Sequence, residues 1–253
     1  MFPLRDDNPT ELVPFFTVAL IALNIAAWFY LQGAGFDMQT LQASVCEYGA
    51  IPSEITGRTD LLPARMRGLQ CPPGGLTWEA LLTSMFLHGG WFHLIGNMWF
   101  LWIFGNNIED SMGHIRFLLF YLVTGLAASA GHILSAPGSP VPTVGASGAI
   151  SGIMGAYLVL YPRVRVYTLF FFFIFIRVIP LPAWVMLGYW FLIQVAAGAT
   201  TASADAGVAF WAHIGGFLAG LVLVKPFEKK QLVAAKRAKV KLDRREIRGG
   251  GWW

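Results

Sequence analysis

Apolar residues run along this chain in long blocks, broken by short polar or Pro- and Gly-containing stretches. Residues 1–12 are polar. Val13–Gln32 is an apolar run of spanning length, about 20 residues being what a ~30 Å hydrocarbon core requires. A mixed segment, 33–76, follows; it is too long for a simple connector, and such loops are often functional. Thr77–Leu87 reads as a short amphipathic piece lying at the interface. Five further apolar runs come at His93–Ile108, Ile115–Ser135, Ser147–Tyr161, Ala183–Ala199 and Ala209–Val224. Between the fourth and fifth spans, VYTLFFFFIFI at 166–176 has about half the needed length and is stopped by Arg177, Pro180 and Pro182. It is expected to be interfacial or re-entrant. The pattern predicts an all-α membrane protein: a short N-terminus (1–12), six transmembrane helices over 13–224 and a tail (225–253).

Composition agrees. The chain is 56% hydrophobic and 13% charged, which excludes an ordinary water-soluble domain. The net charge of +4 is unevenly spread, since ten of the eighteen Lys and Arg follow Val224. A basic tail beside a bilayer points to anionic lipid headgroups rather than nucleic acid, or to a solvated helix that fixes topology. Loops 136–146 and 200–208 carry no Lys or Arg, while 162–165 and the tail are basic. The positive-inside rule then makes both termini cytoplasmic, and spans two, four and six all enter from the outer face. Cys46 and Cys71 share the long outer loop and can form a disulfide or remain two free thiols. No cleavable signal peptide is expected: the first apolar run is too long, follows charged residues and lacks a small-x-small site.

This topology brings polar residues to one depth. His93 and Asn97 open span two, Ser147 opens span four and His213 opens span six. Each alone has a bland explanation, Ser as a small packing residue and His or Asn as interhelical hydrogen-bond partners. Together, on three helices, they point to an internal polar cavity. His213, Gly216 and Gly220 share a face at i, i+3 and i+7; Gly148, Gly152 and Ala156 follow Ser147 at fourfold spacing. Such small-residue faces let two backbones approach closely. The result is an acyl-transfer constellation. Ser147 serves as nucleophile and His213 as general base, with the Ser147 amide, Asn97 and His93 as oxyanion donors. Glu109 and Asp110 lie at the wrong end of span two and Asp205 in the loop before span six, so a Ser-His dyad is the economical reading.

These motifs resemble the rhomboid family of intramembrane serine proteases. The match comprises Gly145-Ala146-Ser147-Gly148, the HxxxN of His93 and Asn97, Ala212-His213 followed by Gly216 and Gly220, and Gly105-x3-Glu109-x3-Gly113. It covers about residues 10–225, with His88 as a further matching histidine. The resemblance implies a six-transmembrane-helix rhomboid-like bundle with Ser147 and His213 as catalytic dyad. His93, Asn97 and the Ser147 amide are then the oxyanion site. Gly105, Glu109, Gly113, Gly216 and Gly220 are packing positions. It also implies no cofactor or metal, transmembrane protein substrates, and a fifth span and 200–208 loop acting as gate and cap. The expected location is a prokaryotic plasma (inner) membrane, with the site opening outward. Two positions depart from the pattern. Ser151 stands where an aromatic often stacks on the catalytic His, and Glu79-Ala80 where a Trp-Arg pair often pins the outer loop.

A proteolytically inactive rhomboid-like protein that binds transmembrane clients is the main alternative, and the paired Ser147 and His213 argue against it. A transporter is disfavoured because the chain shows no inverted repeat and few intramembrane charges. No HExxH occurs among the five histidines, against a metalloprotease.

Overall fold

The computed structural model describes residues 1–58, 71, 75–172, 175–200 and 209–238. In chain order its elements are β1 (Phe2–Asp6), α1 (Phe15–Tyr30), α2 (Met38–Tyr48), α3 (Pro52–Ile55), α4 (Ala80–Thr83), α5 (Trp91–Phe100) and α6 (Asn106–Met112). Then come α7 (His114–Ser135), α8 (Ser147–Leu160), β2 (Arg165–Phe172), β3 (Phe175–Pro182), α9 (Ala183–Thr200), α10 (Phe210–Phe227) and α11 (Lys230–Ala238). Among the described residues α7, α9 and α10 are long and apolar enough to cross a membrane, while α1 and α8 are shorter apolar helices. A π-helical stretch, Leu101–Gly105, joins α5 to α6. Packing is tightest among α7, α8 and α10. A Cβ on Gly152 would strike Thr124 of α7, and one on Gly155 would strike the Phe217 carbonyl of α10. Helix α8 is thus wedged between two neighbours with little side chain in the way.

The all-helical expectation is corrected at 166–176. The described residues of this run belong to β2 and β3, which pair antiparallel with each other and, through β1, form a three-stranded sheet in the order β1-β2-β3. Eleven residues are too few for a spanning helix, and Val, Tyr, Thr and Phe suit a strand. Pro180 and Pro182 do not stop it because β3 is an edge strand, where a missing N–H is tolerated. The pairing of Phe2 with Leu169 and Asp6 with Val166 lies far outside any local sequence window.

The Gly105-Glu109-Gly113 motif builds the end of the molecule opposite the cavity described below. Gly105 faces Thr17 of α1, with a Cβ there only 3.3 Å from its side chain. The fully buried Glu109 carboxylate accepts from the Phe16 and Thr17 amides (2.9 and 2.8 Å), the Thr17 hydroxyl (2.7 Å) and His114 (2.6 Å). A carboxylate at a helix N-terminus satisfies orphan N–H groups and complements the dipole. Gly113 ends α6 at φ +76°, a conformation that favours glycine. Asp110 extends the clamp to the Glu11 and Leu12 amides and to Lys236 (2.8 Å).

The basic tail is not simply solvated over the residues described. Lys236 of α11 is 5% exposed in its pair with Asp110, and Arg237 donates to the Val159 and Leu160 carbonyls at the C-terminus of α8. A guanidinium there satisfies the last helical carbonyls. Gly249–Trp253 lies outside the described residues.

Asp6 of β1 accepts from Asn107 (2.9 Å) and from the Tyr157 hydroxyl. Burial pushes its carboxyl up to about 6, against the lowering effect of the Tyr157 bond. The folded state thus binds this proton more tightly than the unfolded chain. The stabilisation is complete below the ordinary value of 3.8 and is lost as pH rises through about 6. Asp6→Asn mimics the neutral acid, so its melting temperature in detergent relative to wild type is expected to be higher at pH 8 than at pH 5. An equal difference at both pH values would contradict the burial argument.

Candidate active site

Ser147 is the first residue of α8 and His213 sits in the first turn of α10. Both therefore stand at the same end of adjacent helices. The separation follows from backbone contact: a Cβ on Gly216 would overlap the Gly148 carbonyl, and one on Gly220 the Gly152 carbonyl. With the helices this close, His213 Nε2 lies 2.8 Å from Ser147 Oγ, within hydrogen-bond reach for proton transfer. The pair lines a cavity of about 540 Å³ together with His93 and Asn97. All four polar residues picked from the sequence are brought together.

His93 and Asn97 project from successive turns of α5. The Gly89 amide donates to His93 Nδ1 at 3.2 Å, so in the neutral ring the proton is on Nε2. That nitrogen looks toward Gly145, where an added Cβ would lie only 2.7 Å away. Asn97 is 6% exposed and its side-chain N–H₂ has no partner among the described residues. The Ser147 amide opens a helix whose N-cap, Ala146, offers no side-chain acceptor. Three donors at a helix N-terminus can receive a developing oxyanion.

The entry to α5 is held from both sides. The Gln32 amide bonds the main chain of His88 twice, at 2.7 and 2.8 Å. His88 itself is fully buried, and burial holds its imidazole down at about 3. It meets the His93 ring edge-on at 5.1 Å, so a neutral ring supports His93.

The described part of the long segment after α1 is pinned without the Trp-Arg pair. Cys46 and Cys71 are joined in a disulfide, resolving the two alternatives in favour of the bridge. Ala50 pairs with Thr143, the Ser53 amide donates to Ser139, and Thr56 to Pro137. These contacts tie residues 50–56 to the loop that leads into Ser147. Thr77–Leu87 packs one side into the protein: Ala80, Ser84, Met85 and Leu87 are buried while Trp78 and Leu82 are exposed, and the Ser84 carbonyl accepts from the Gly145 amide at 2.8 Å.

Sequence reasoning misses Gln194 of α9, whose Oε1 lies 2.7 Å from His213 Nδ1. One turn earlier Trp190 lies against the same imidazole, ring centres 5.9 Å apart. These two occupy the ground left by Ser151, whose hydroxyl turns back to the Ser147 carbonyl at 2.6 Å. The available signal was that Gln194 is the one amide in an otherwise apolar fifth span. Residues 201–208 of the loop before α10, with Asp205, lie outside the described residues.

Comparison with known proteins comes to the same place. A family model described as a rhomboid domain matches residues 75–229. Rhomboid protease GluP of Bacillus subtilis is 36% identical over 147 residues, 57% of this chain and 24% of its own length. RHOMBOID-like protein 6, mitochondrial, of Arabidopsis thaliana is 45% identical over 86 residues, covering 34% and 27% of the two chains. Rhomboid protein 1, mitochondrial, of Saccharomyces cerevisiae is 29% identical over 148 residues, covering 56% and 40%. The matches thus span between about a quarter and two fifths of these relatives' lengths.

Proposed function

This chain belongs to the rhomboid family, and on that premise we propose that it is an intramembrane serine endopeptidase with six membrane spans. It cuts transmembrane segments of single-pass membrane proteins. The observation that carries this is the 2.8 Å contact of His213 Nε2 with Ser147 Oγ inside a cavity lined by His93 and Asn97. Ser147 Oγ attacks the scissile carbonyl carbon while its proton passes to Nε2. The oxyanion accepts from the Ser147 amide, His93 Nε2–H and Asn97 Nδ2–H. Collapse breaks the C–N bond as Nε2–H protonates the leaving amine, and water, activated by the same nitrogen, releases the acyl group. One oxyanion donor is worth roughly 3–4 kcal/mol of barrier.

Depth supports the same reading. Helix α8 has 14 residues, about 21 Å at 1.5 Å per residue, against the ~30 Å of a hydrocarbon core. Ser147 is then recessed below one surface, and irregular backbone and polar side chains at that depth are tolerated where they line a water-filled cavity. The Cys46–Cys71 bridge, in the segment whose residues Ala50–Thr56 contact the loop leading into Ser147, supports an oxidising, outer location for the cavity's end. Arg163, Arg165, Lys236 and Arg237 lie together around a second cavity beside the N-terminal residues Asp6–Pro9, which supports a cytoplasmic location for that end. A prokaryotic plasma membrane fits this arrangement. A purely client-binding role has no use for a serine oxygen bonded to an imidazole.

The test is covalent labelling. A serine-directed fluorophosphonate is expected to label the detergent-solubilised protein, and Ser147→Ala to abolish the label. Equal labelling of both proteins would remove Ser147 from its role.

A further inference from the structure

We infer that Gln194 is the positioning residue of the Ser147–His213 pair: its amide oxygen holds the proton on His213 Nδ1 and so leaves Nε2 free as the base. The inference rests on the protease reading above. An amide oxygen can only accept, so at 2.7 Å from Gln194 Oε1 the Nδ1 atom must donate. In a neutral imidazole the other nitrogen is then an acceptor, and that nitrogen faces Ser147 Oγ at 2.8 Å. The opposite tautomer would put an N–H toward Ser147 and leave no base. Free imidazole does not choose strongly between its nitrogens; the hydrogen bond to one selects the role of the other.

The surroundings sharpen the assignment. Gln194 is 8% exposed, on the inward face of α9 with Ala183, Met186, Leu187 and Gly198. Its neighbour on that face, Trp190, lies against the imidazole and also packs on Phe217, which restricts ring rotation. His93 from α5 and His132 from α7 are the titratable side chains within electrostatic reach of His213. Among the described residues no Asp, Glu, Lys or Arg lines the cavity. The protein thus uses a neutral acceptor where soluble serine proteases place a buried carboxylate: orientation and tautomer come from Gln194, without a counter-charge for the imidazolium.

A buried amide can also be simple glue between α9 and α10, so the test must separate that role from tautomer control. Three proteins are compared in detergent: wild type, Gln194→Met, which keeps length but cannot accept a hydrogen bond as an amide does, and Gln194→Glu, which still accepts. Ser147-dependent fluorophosphonate labelling and cleavage of a single-pass reporter are followed against pH, with melting temperatures in parallel. Gln194→Met is expected to slow acylation about 10- to 100-fold, less than the roughly 10²- to 10⁴-fold a general base supplies because part of the tautomer mixture keeps Nε2 free, with KM unchanged. Gln194→Glu is expected to retain rate at alkaline pH, while its acid limb moves up by about one pH unit or more because a carboxylate favours the imidazolium. Histidine-selective ¹⁵N spectra are expected to show His213 protonated on Nδ1 in wild type and a tautomer mixture in Gln194→Met.

Unchanged rate and unchanged tautomer in Gln194→Met would overturn the assignment. So would equal losses in both variants with pH profiles like wild type, the signature of packing alone. Should Gln194→Met not fold, the Gln194→Glu profile decides: an unmoved acid limb overturns the inference. Labelling that does not depend on Ser147 would instead defeat the protease reading, and the spectra would still report on the Gln194 contact.

Discussion

Replacing His213 by alanine is expected to lower turnover of a single-pass membrane substrate by about 10⁴- to 10⁶-fold, the range seen when one member of a serine–base unit is removed. An unassisted serine hydroxyl is a weak nucleophile, and among the described residues lining the cavity the other imidazole, His93, has its Nδ1 engaged by the Gly89 amide. What remains is binding and oxyanion stabilisation by His93, Asn97 and the Ser147 amide. The decisive measurement is non-additivity. Ser147→Ala should fall to the same floor, and the double variant should fall no further, because the two atoms 2.8 Å apart act in one proton transfer. Cleavage of a reporter reconstituted in liposomes with each variant measures this. A double variant that loses the product of the two single effects would mean that Ser147 and His213 act independently.

Gly220→Ala is expected to have the next-largest effect, by a different route. A Cβ at this position would overlap the Gly152 carbonyl, and α8 offers backbone rather than a movable side chain at that point. The helices must separate, and Ser147 and His213 ride on them. Overpacking of a tight contact costs about 1–3 kcal/mol, and a displacement near 1 Å at the reacting atoms costs about 10²-fold in rate. The variant should melt lower in detergent and take up the fluorophosphonate at least 10²-fold more slowly, a loss at the scale of that displacement. Gly188→Ala is the control, because nothing lies within 4 Å of a Cβ there. Wild-type labelling and melting in Gly220→Ala would show that the close approach of α8 and α10 is dispensable.

How much could be read without coordinates differs by element. The apolar runs locate the principal helices to within a few residues: Ile115–Ser135 against α7, His114–Ser135, and Ala183–Ala199 against α9, Ala183–Thr200. Hydrophobic length is a local property, so a window of about twenty residues holds the information. The run at 166–176 fails because short apolar stretches do not distinguish strand from buried helix, and its partner Phe2–Asp6 is about 160 positions away. The roles of Glu109 and Asp110 were half legible. Their distance from the cavity followed from the pattern, while their engagement of the α1 amides depends on how two helix ends meet.

The small-residue motif around Ser147 carries both lessons. From sequence alone came the membrane class, the spacing that puts His213 on a glycine face, and the expectation that Ser147, His213, His93 and Asn97 share one depth. These follow from helical periodicity and span parity, which are one-dimensional rules. The tertiary structure alone decided that Cys46 meets Cys71, that β1 reaches β2, and that Gln194 takes the place of the support missing at Ser151. Each is a contact between side chains or strands on separate elements, and its existence depends on translations of an ångström or two that no residue pattern encodes.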